Sequence, residues 1–236
     1  MARCAVPKLV GDPDPGNLMP HVVTSEETTS PILWNGKIHA VQCRAWVWRY
    51  VTDNRTHHHL GFNLWVEGEA AGTPGRLIVA ISAIQQRKLQ FRIGDVAKGT
   101  AWPCKNAKHE IADFYRAGGL RVLSRVDEPT EQCAPPFAGM PPPLEVFEAR
   151  GARMLDPGRW KKECMTCMWA NKSAVEIEYN FGKSKRYRSE TFCYGPKSCK
   201  LYEMGAPRAV PYHDRESSLD DGGLDDCCTG HRAQDE

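Results

Sequence analysis

The sequence predicts a mainly β chain with short helices: a five-stranded unit, followed by a smaller β-hairpin module built around four cysteines. Three observations lead there. Runs rich in β-branched and aromatic residues, some alternating with period two, recur between residues 36 and 126. Seventeen prolines and twenty glycines among 236 residues call for many turns. Four of the ten cysteines fall as Cys164-x2-Cys167 and Cys193-x5-Cys199 around a strongly alternating stretch.

Taken in order, residues 1–31 are rich in Pro, Gly, Asp, Ser and Thr without periodicity and read as a disordered arm. Order begins at Ile32. Residues 36–51 read as one long strand, and 52–55 supply turn residues. In the next strand Leu60, Phe62, Leu64 and Val66 face one way and Gly61, Asn63 and Trp65 the other. Residues 67–75, with three glycines and a proline, read as a loop, and 76–81 as a buried apolar strand. Ser82 can cap a short helix over 83–89, with Gln85 placed to return a bond to the cap. Residues 91–101 return to strand. Asn106 opens a second predicted helix over 107–117 on the stripe Ala107, Ile111 and Phe114, stopped by Gly118-Gly119. Residues 120–126 form the fifth strand.

Five strands with a helix between the third and fourth resemble the OB-fold, a small Greek-key barrel. The segment F-R-I-G-D-V-A-K-G-T-A is similar to the Gly-Asp entry to a strand of such barrels. The resemblance implies an OB-like five-stranded barrel over 32–126, to which the helix at 107–117 is an addition. Residues 127–143, with six prolines, read as a semi-rigid linker, and Cys133 within it is expected to be no ligand. A short helix over 144–154 follows, broken by Asp156-Pro157-Gly158.

A two-residue turn lets both sulfurs of a C-x2-C point at one ion, and two cysteine pairs make a tetrahedral thiolate site of the kind zinc favours. Between the pairs Val175, Ile177, Tyr179 and Phe181 alternate with Glu176, Glu178 and Asn180, a half-buried strand. A turn at 182–185 and a return strand over 186–192 bring Cys193 beside Cys167. The arrangement resembles a zinc ribbon within a module spanning 144–212, although ribbons have two to four residues in the second knuckle and this chain has five. The metal ligands are then Cys164, Cys167, Cys193 and Cys199. The same set suits an iron–sulfur cluster, and without metal the four are ordinary buried thiols. As a whole the chain resembles prokaryotic proteins that pair an OB-fold-like barrel with a C-terminal zinc-ribbon-like module.

Charge points to a partner. The net charge of +2 conceals an acidic tail, where 214–236 carries eight acidic side chains and two arginines. Residues 159–188 hold eight basic and three acidic side chains. Basic groups attract phosphates and aromatic faces stack on unpaired bases, which makes Lys161, Lys162, Trp169, Lys183, Lys185, Arg186, Tyr187 and Arg188 a candidate nucleic-acid-binding surface. Read plainly, the same residues are a solvated charge run and a small core. His57 and His59 share a strand face, as a metal pair or as polar edge residues. His109 and Asp113 stand four apart on the predicted helix, as a base and its orienter or as a surface pair. Cys227-x3-His231 is either a second metal site or part of an unstructured acidic tail over 213–236.

No apolar run approaches the roughly 18 residues that span a bilayer, and the N-terminus lacks a signal peptide's apolar core. The expectation is a cytoplasmic protein with reduced cysteines and no membrane partner. Phosphate-loop, dinucleotide, metalloprotease, hydrolase and deaminase patterns are absent from the sequence. The leading expectation is therefore a non-enzymatic binder of RNA or single-stranded DNA. The alternatives are a protein–protein adaptor and an iron–sulfur redox protein.

Overall fold

The computed structural model describes residues 30–50, 55–127, 134–179, 184–206, 209–212, 215–218 and 221–233. Residues 1–29 of the arm predicted over 1–31, with Cys4, and also Cys133 and Lys183 lie outside them. The protein is mainly β, with 48% strand and 17% helix.

Five strands close into a ring. They are β1 (Ile32–Tyr50), β2 (Arg55–Ala70), β3 (Thr73–Ile81), β4 (Val96–Pro103) and β5 (Phe114–Ser124). The order around the ring is β1-β2-β3-β5-β4 and back to β1, with β3 and β5 parallel at Val79 and Phe114. One helix, α1 (Ala83–Leu89), lies between β3 and β4. Its capping box forms as the sequence predicts: Gln85 N–H donates to Ser82 Oγ, and Ser82 N–H donates to Gln85 Oε1.

The strands are longer than propensity suggests. The predicted loop at 67–75 is largely strand, because Ala71 and Gly72 both take positive φ and join β2 to β3 by a tight turn. Gly61 (φ 143) lies beside a break in the β1–β2 register, where a Cβ would stand 2.2 Å from the Ile81 carbonyl oxygen. Only glycine fits that close approach.

The predicted helix over 107–117 does not form. Residues 104–113 make a loop, and the fifth strand starts at Phe114 rather than 120. Its side chains and backbone find other partners. The Asn106 side chain takes the Lys108 N–H, Glu110 takes those of Ile111 and Ala112, and Asp113 joins β3. Phe114 enters the core instead of a helix stripe, pairing with Pro103 across β4. Side-chain bonding to nearby amides of this kind competes with helix.

The sheet continues past the ring. Val47, Trp48 and Arg49 of β1 pair in parallel with Val175, Glu176 and Ile177 of β7 (Ala170–Tyr179). β7 pairs antiparallel with β8 (Ser184–Cys193), and β8 with the short β6 (Arg153–Met154). The hairpin expected between the cysteine pairs is thus present and is part of one eight-stranded sheet. A single core runs from ring to hairpin, with Ile38, Val41, Leu64, Val79 and Phe114 continuous with Val175, Ile177, Phe192 and Tyr194.

Helix α2 (Leu144–Arg150) is shorter than the predicted 144–154, because Arg153 and Met154 pair with β8. Helix α3 (Pro157–Arg159) runs into one π-helical turn, Trp160–Cys164. Strands β9 (Ala209–Tyr212) and β10 (Arg215–Ser218) form a separate hairpin.

Part of the acidic tail folds. Helix α4 (Asp221–Thr229) buries Asp225, which accepts from Arg55 at 2.5 Å and from the Met154 N–H at 2.8 Å. Asp225 is thus a partner for a buried arginine rather than part of a solvated charge run. Among the described residues, no helix is long and apolar enough to cross a membrane.

Candidate metal centre and outer sheet face

The four cysteines of the two pairs meet. Cys164 and Cys167 end a turn in which the Cys167 N–H donates to the Cys164 carbonyl at 3.0 Å. The β7–β8 register sets Ala170 opposite Cys193 and so brings the end of β8 back to that turn. The Cys199 N–H donates to the Pro196 carbonyl at 3.1 Å, so Gly195-Pro196 does tighten the five-residue knuckle.

All four line one cavity of about 10 Å³, walled by Leu155, Phe137, Trp169, Leu201 and Tyr202. That is the room of about one small sphere. Gly195 N–H donates to Cys193 Sγ at 3.3 Å, and the Trp169 and Phe137 amides bond to Cys167. Among the described residues, no three His, Cys, Asp or Glu side chains stand in an arrangement that holds an ion as it is.

Thiol chemistry bears on what this cavity takes. Burial pushes the Cys164 pKa up to about 12, and the nearby Cys193 and Cys199 add to the shift. Burial raises Cys167 and Cys193 too, with Cys193 adding to the first. Burial thus holds Cys164, Cys167 and Cys193 toward the protonated form, and a cation among them would favour their thiolates. Amide N–H groups aimed at sulfur favour the thiolate.

The cavity is held by the ring. Buried Gln42 of β1 points its Nε2 at the carbonyls of Met165 (3.0 Å), Cys167 (3.2 Å) and Cys164 (3.4 Å). Asn171 Nδ2 donates to the Cys43 carbonyl at 2.6 Å. Trp160 packs on Trp65 of β2, ring centroids 5.4 Å apart. Nothing in the local pattern of residues 160–202 marks Gln42 as their partner. Only the fold brings the two together.

The predicted nucleic-acid-binding residues divide. Lys185 Nζ meets Glu176 at 2.5 Å, and Tyr187 Oη donates to the other oxygen of Glu176 at 2.9 Å. Arg188 donates to Glu190 at 2.6 Å, and Glu190 in turn accepts from the fully buried Arg49 at 3.0 Å. Trp169 packs on Phe147 beneath the Arg150 guanidinium and is part of the core. Lys162 and Arg186 are exposed, and Lys161 is half-buried.

The other candidates also find structural partners. His57 Nδ1 and His59 Nε2 both reach the buried Tyr194 hydroxyl, at 3.0 and 3.3 Å. Burial lowers the pKa of both histidines, which favours their neutral forms. His109 and Asp113 do not share a helix face. The His109 ring lies 4.0 Å from that of Tyr187, while Asp113 Oδ2 accepts the Ile78 N–H at 2.8 Å. His231 reaches the Ala149 carbonyl at 2.6 Å and not a metal partner.

One row of residues on the outer sheet face escapes the sequence reading. Along the outer face of β1 stand, in order, Gln42, Arg44, Trp46 and Trp48, while Ala45, Val47 and Arg49 point into the core. Gln42 meets the cysteine turn. Arg44 meets Glu110 of the loop 104–113 through its Nε at 2.9 Å. Trp46 is 41% exposed and lies parallel to Trp48, at 6.1 Å and 8°. The W-V-W spacing was the available signal, since period two puts both indoles on one face. It names no face, and so cannot say whether they are core.

Comparison of the chain with protein-family models, with curated proteins and with solved structures finds no match.

Proposed function

We propose that this protein binds RNA or single-stranded DNA without catalysing a reaction, and that its four cysteines hold a structural zinc ion. The observation that carries the binding reading is the loop 104–113 between β4 and β5. It exposes Lys105, Lys108 and His109 on the rim of the five-stranded ring. The ring's strand order, with its helix between β3 and β4, supports the OB-like reading. In such barrels the loop between the fourth and fifth strands is one of the two that grip oligonucleotides. Fold likeness alone assigns no function; the exposed cations at that loop are what support it here.

The all-thiol donor set and the ion-sized cavity support zinc over an iron–sulfur cluster. Cys164, Cys167, Cys193 and Cys199 would hold it. With four protein ligands the ion is structural, tying the π-helical turn, the end of β8 and the 196–199 turn together.

Binding of short oligonucleotides should weaken steeply with added salt, through counterion release. Replacing Lys105 and Lys108 together by Ala should lower affinity for many sequences alike. It should also make the log–log salt slope shallower by about 1.4, at roughly 0.7 for each phosphate of a single strand that is no longer neutralised. Replacing Lys185, which Glu176 already engages, should change little. Salt-insensitive binding, or a wild-type slope in the Lys105/Lys108 variant, overturns the reading. One zinc per chain by elemental analysis is the expected metal content, and a brown, iron-containing protein refutes it.

A further inference from the structure

We infer that the outer face of β1 is a stacking ledge on which Trp46 takes an unpaired nucleobase, so that the ligand is single-stranded nucleic acid. This rests on the nucleic-acid reading above and places the base contacts away from the β7–β8 hairpin.

Four features converge on the ledge. First, a large aromatic ring is left open: Trp46 is 41% exposed, on the face opposite that of Ala45 and Val47, which are in the core. Trp48 stacks parallel to it, which holds the Trp46 ring in one orientation. An indole fixed in this way loses little side-chain entropy when a base settles on it.

Second, the ledge is bounded. Its cross-strand neighbours on β2 are His58 and Thr56, both exposed, opposite Trp46 and Trp48. On the side toward the cysteines, the Arg44–Glu110 pair anchors the loop 104–113 over the same sheet face. His109 from that loop lies against Tyr187 of β8. The loop that carries Lys105 and Lys108 therefore borders the tryptophans, and phosphates on those lysines leave bases within reach of the ledge.

Third, the two carboxylates nearest the tryptophans, Glu110 and Glu176, are already engaged, while Glu178 lies farther along β7. Glu110 accepts from Arg44 and from two backbone amides of its own loop. Glu176, the cross-strand neighbour of Trp48, is 6% exposed and accepts from Lys185 and Tyr187. Lys105 and Lys108 add exposed positive charge at the rim, which suits a polyanion.

Fourth, the chemistry of the ledge is that of a base platform rather than a base-edge reader. Indole faces stack on any base, and each such contact is worth about 1–3 kcal/mol. A duplex keeps its bases stacked on each other and offers the ledge none. The site therefore prefers single strands over duplex of equal charge, with little sequence preference.

The test uses the full chain with bound metal. Fluorescence anisotropy compares labelled oligo-dT and oligo-U with a duplex of equal length, for wild type, Trp46→Ala and Trp46→Phe. Trp46→Ala should weaken single-strand binding roughly tenfold, within the range of one stacking interaction. Trp46→Phe should recover most of it, and weak duplex binding should not change. Wild-type tryptophan fluorescence should be quenched on binding, less so in Trp46→Ala. The exposed position makes misfolding a minor concern, and unchanged circular dichroism and zinc content check it.

The failures are distinguishable. If wild type binds no oligonucleotide at low salt, the nucleic-acid reading falls and the ledge with it. If wild type binds and Trp46→Ala binds equally well, the ledge falls and the broader reading stands. A defined protein that covers Trp46 after nuclease treatment also overturns the ledge.

Discussion

Asp113 should make the protein less stable as pH rises through 6. Its carboxylate sits at the junction of β3, β4 and β5. There its Oδ2 accepts the Ile78 N–H at 2.8 Å, its own N–H donates to the Ile78 carbonyl, and its carbonyl accepts from Cys104 N–H. Burial raises its pKa from 3.8 to about 6, and the Ile78 bond opposes the shift without cancelling it. A carboxyl whose folded pKa exceeds its unfolded value favours folding in its protonated form. That contribution is complete below about 3.8 and is lost as pH rises through about 6. A shift of about two units corresponds to roughly 3 kcal/mol between the two limits, at about 1.4 kcal/mol per unit. Asn keeps the amide-accepting oxygen and cannot ionise. Asp113→Asn should therefore match wild type well below pH 4 and exceed it above pH 6. The expected gain is of order 2–3 kcal/mol, or about 4–12 °C in Tm for a chain of this size. Urea denaturation and thermal melts across that range measure it directly. A variant no more stable than wild type at neutral pH refutes the reasoning, and so does a difference that pH does not change.

Three further outcomes follow from the packing. Gln42→Ala should cost about 1–3 kcal/mol in urea denaturation, by leaving the carbonyls of the cysteine turn without their buried donor. With zinc at the four cysteines as proposed, it should also speed loss of that metal to a chelator, which a purely local packing defect elsewhere would not do. Glu190→Gln should cost about 3–5 kcal/mol because it removes the negative charge paired with the buried Arg49 guanidinium, whereas Arg188→Gln, partly exposed, should cost well under half as much. Gly151→Ala should loosen α4, because Gly151 has φ 67 and a Cβ there meets the Cys228 carbonyl oxygen at 2.2 Å. Faster trypsin cleavage near the C-terminus, with the melting of the ring little changed, is the expected signature.

The parts legible in the sequence are those whose partners are local. Ser82 and Gln85 announce a capping box three residues apart, and it forms. The alternation at 175–181 marks a strand, and the turn residues after it mark a hairpin. The hairpin puts Cys193 opposite Ala170, so the meeting of the two cysteine pairs was readable from spacing. Where local signals compete, the reading failed. Residues 107–117 carry a helical stripe, but Asn106 and Glu110 bond nearby amides, Asp113 bonds the Ile78 amide of β3, and Phe114 is drawn into the core. Residues 67–75 look like a loop by composition, yet strand pairing on both sides leaves only a two-residue turn.

The use of each charged side chain was not legible either. Lys185 and Arg188 belong to a basic run in sequence, but the hairpin brings Lys185 to Glu176 of β7, and Arg188 meets Glu190 two residues along its own strand. The acidic tail likewise supplies Asp225 to Arg55, 170 residues away. Composition reports how many charges a segment has, and register decides which of them face a partner.

By itself, the sequence determined a mainly β chain, its cysteine convergence and the caps and turns between strands, because these depend on residues within about one turn or hairpin of each other. Only the tertiary structure decided that β1 joins the ring to the hairpin, that Gln42 holds the cysteine turn, and that Trp46 faces out while Val47 faces in. The physical reason is that a strand's period of two separates its residues into two faces. Which face meets water depends on what the rest of the chain packs against it.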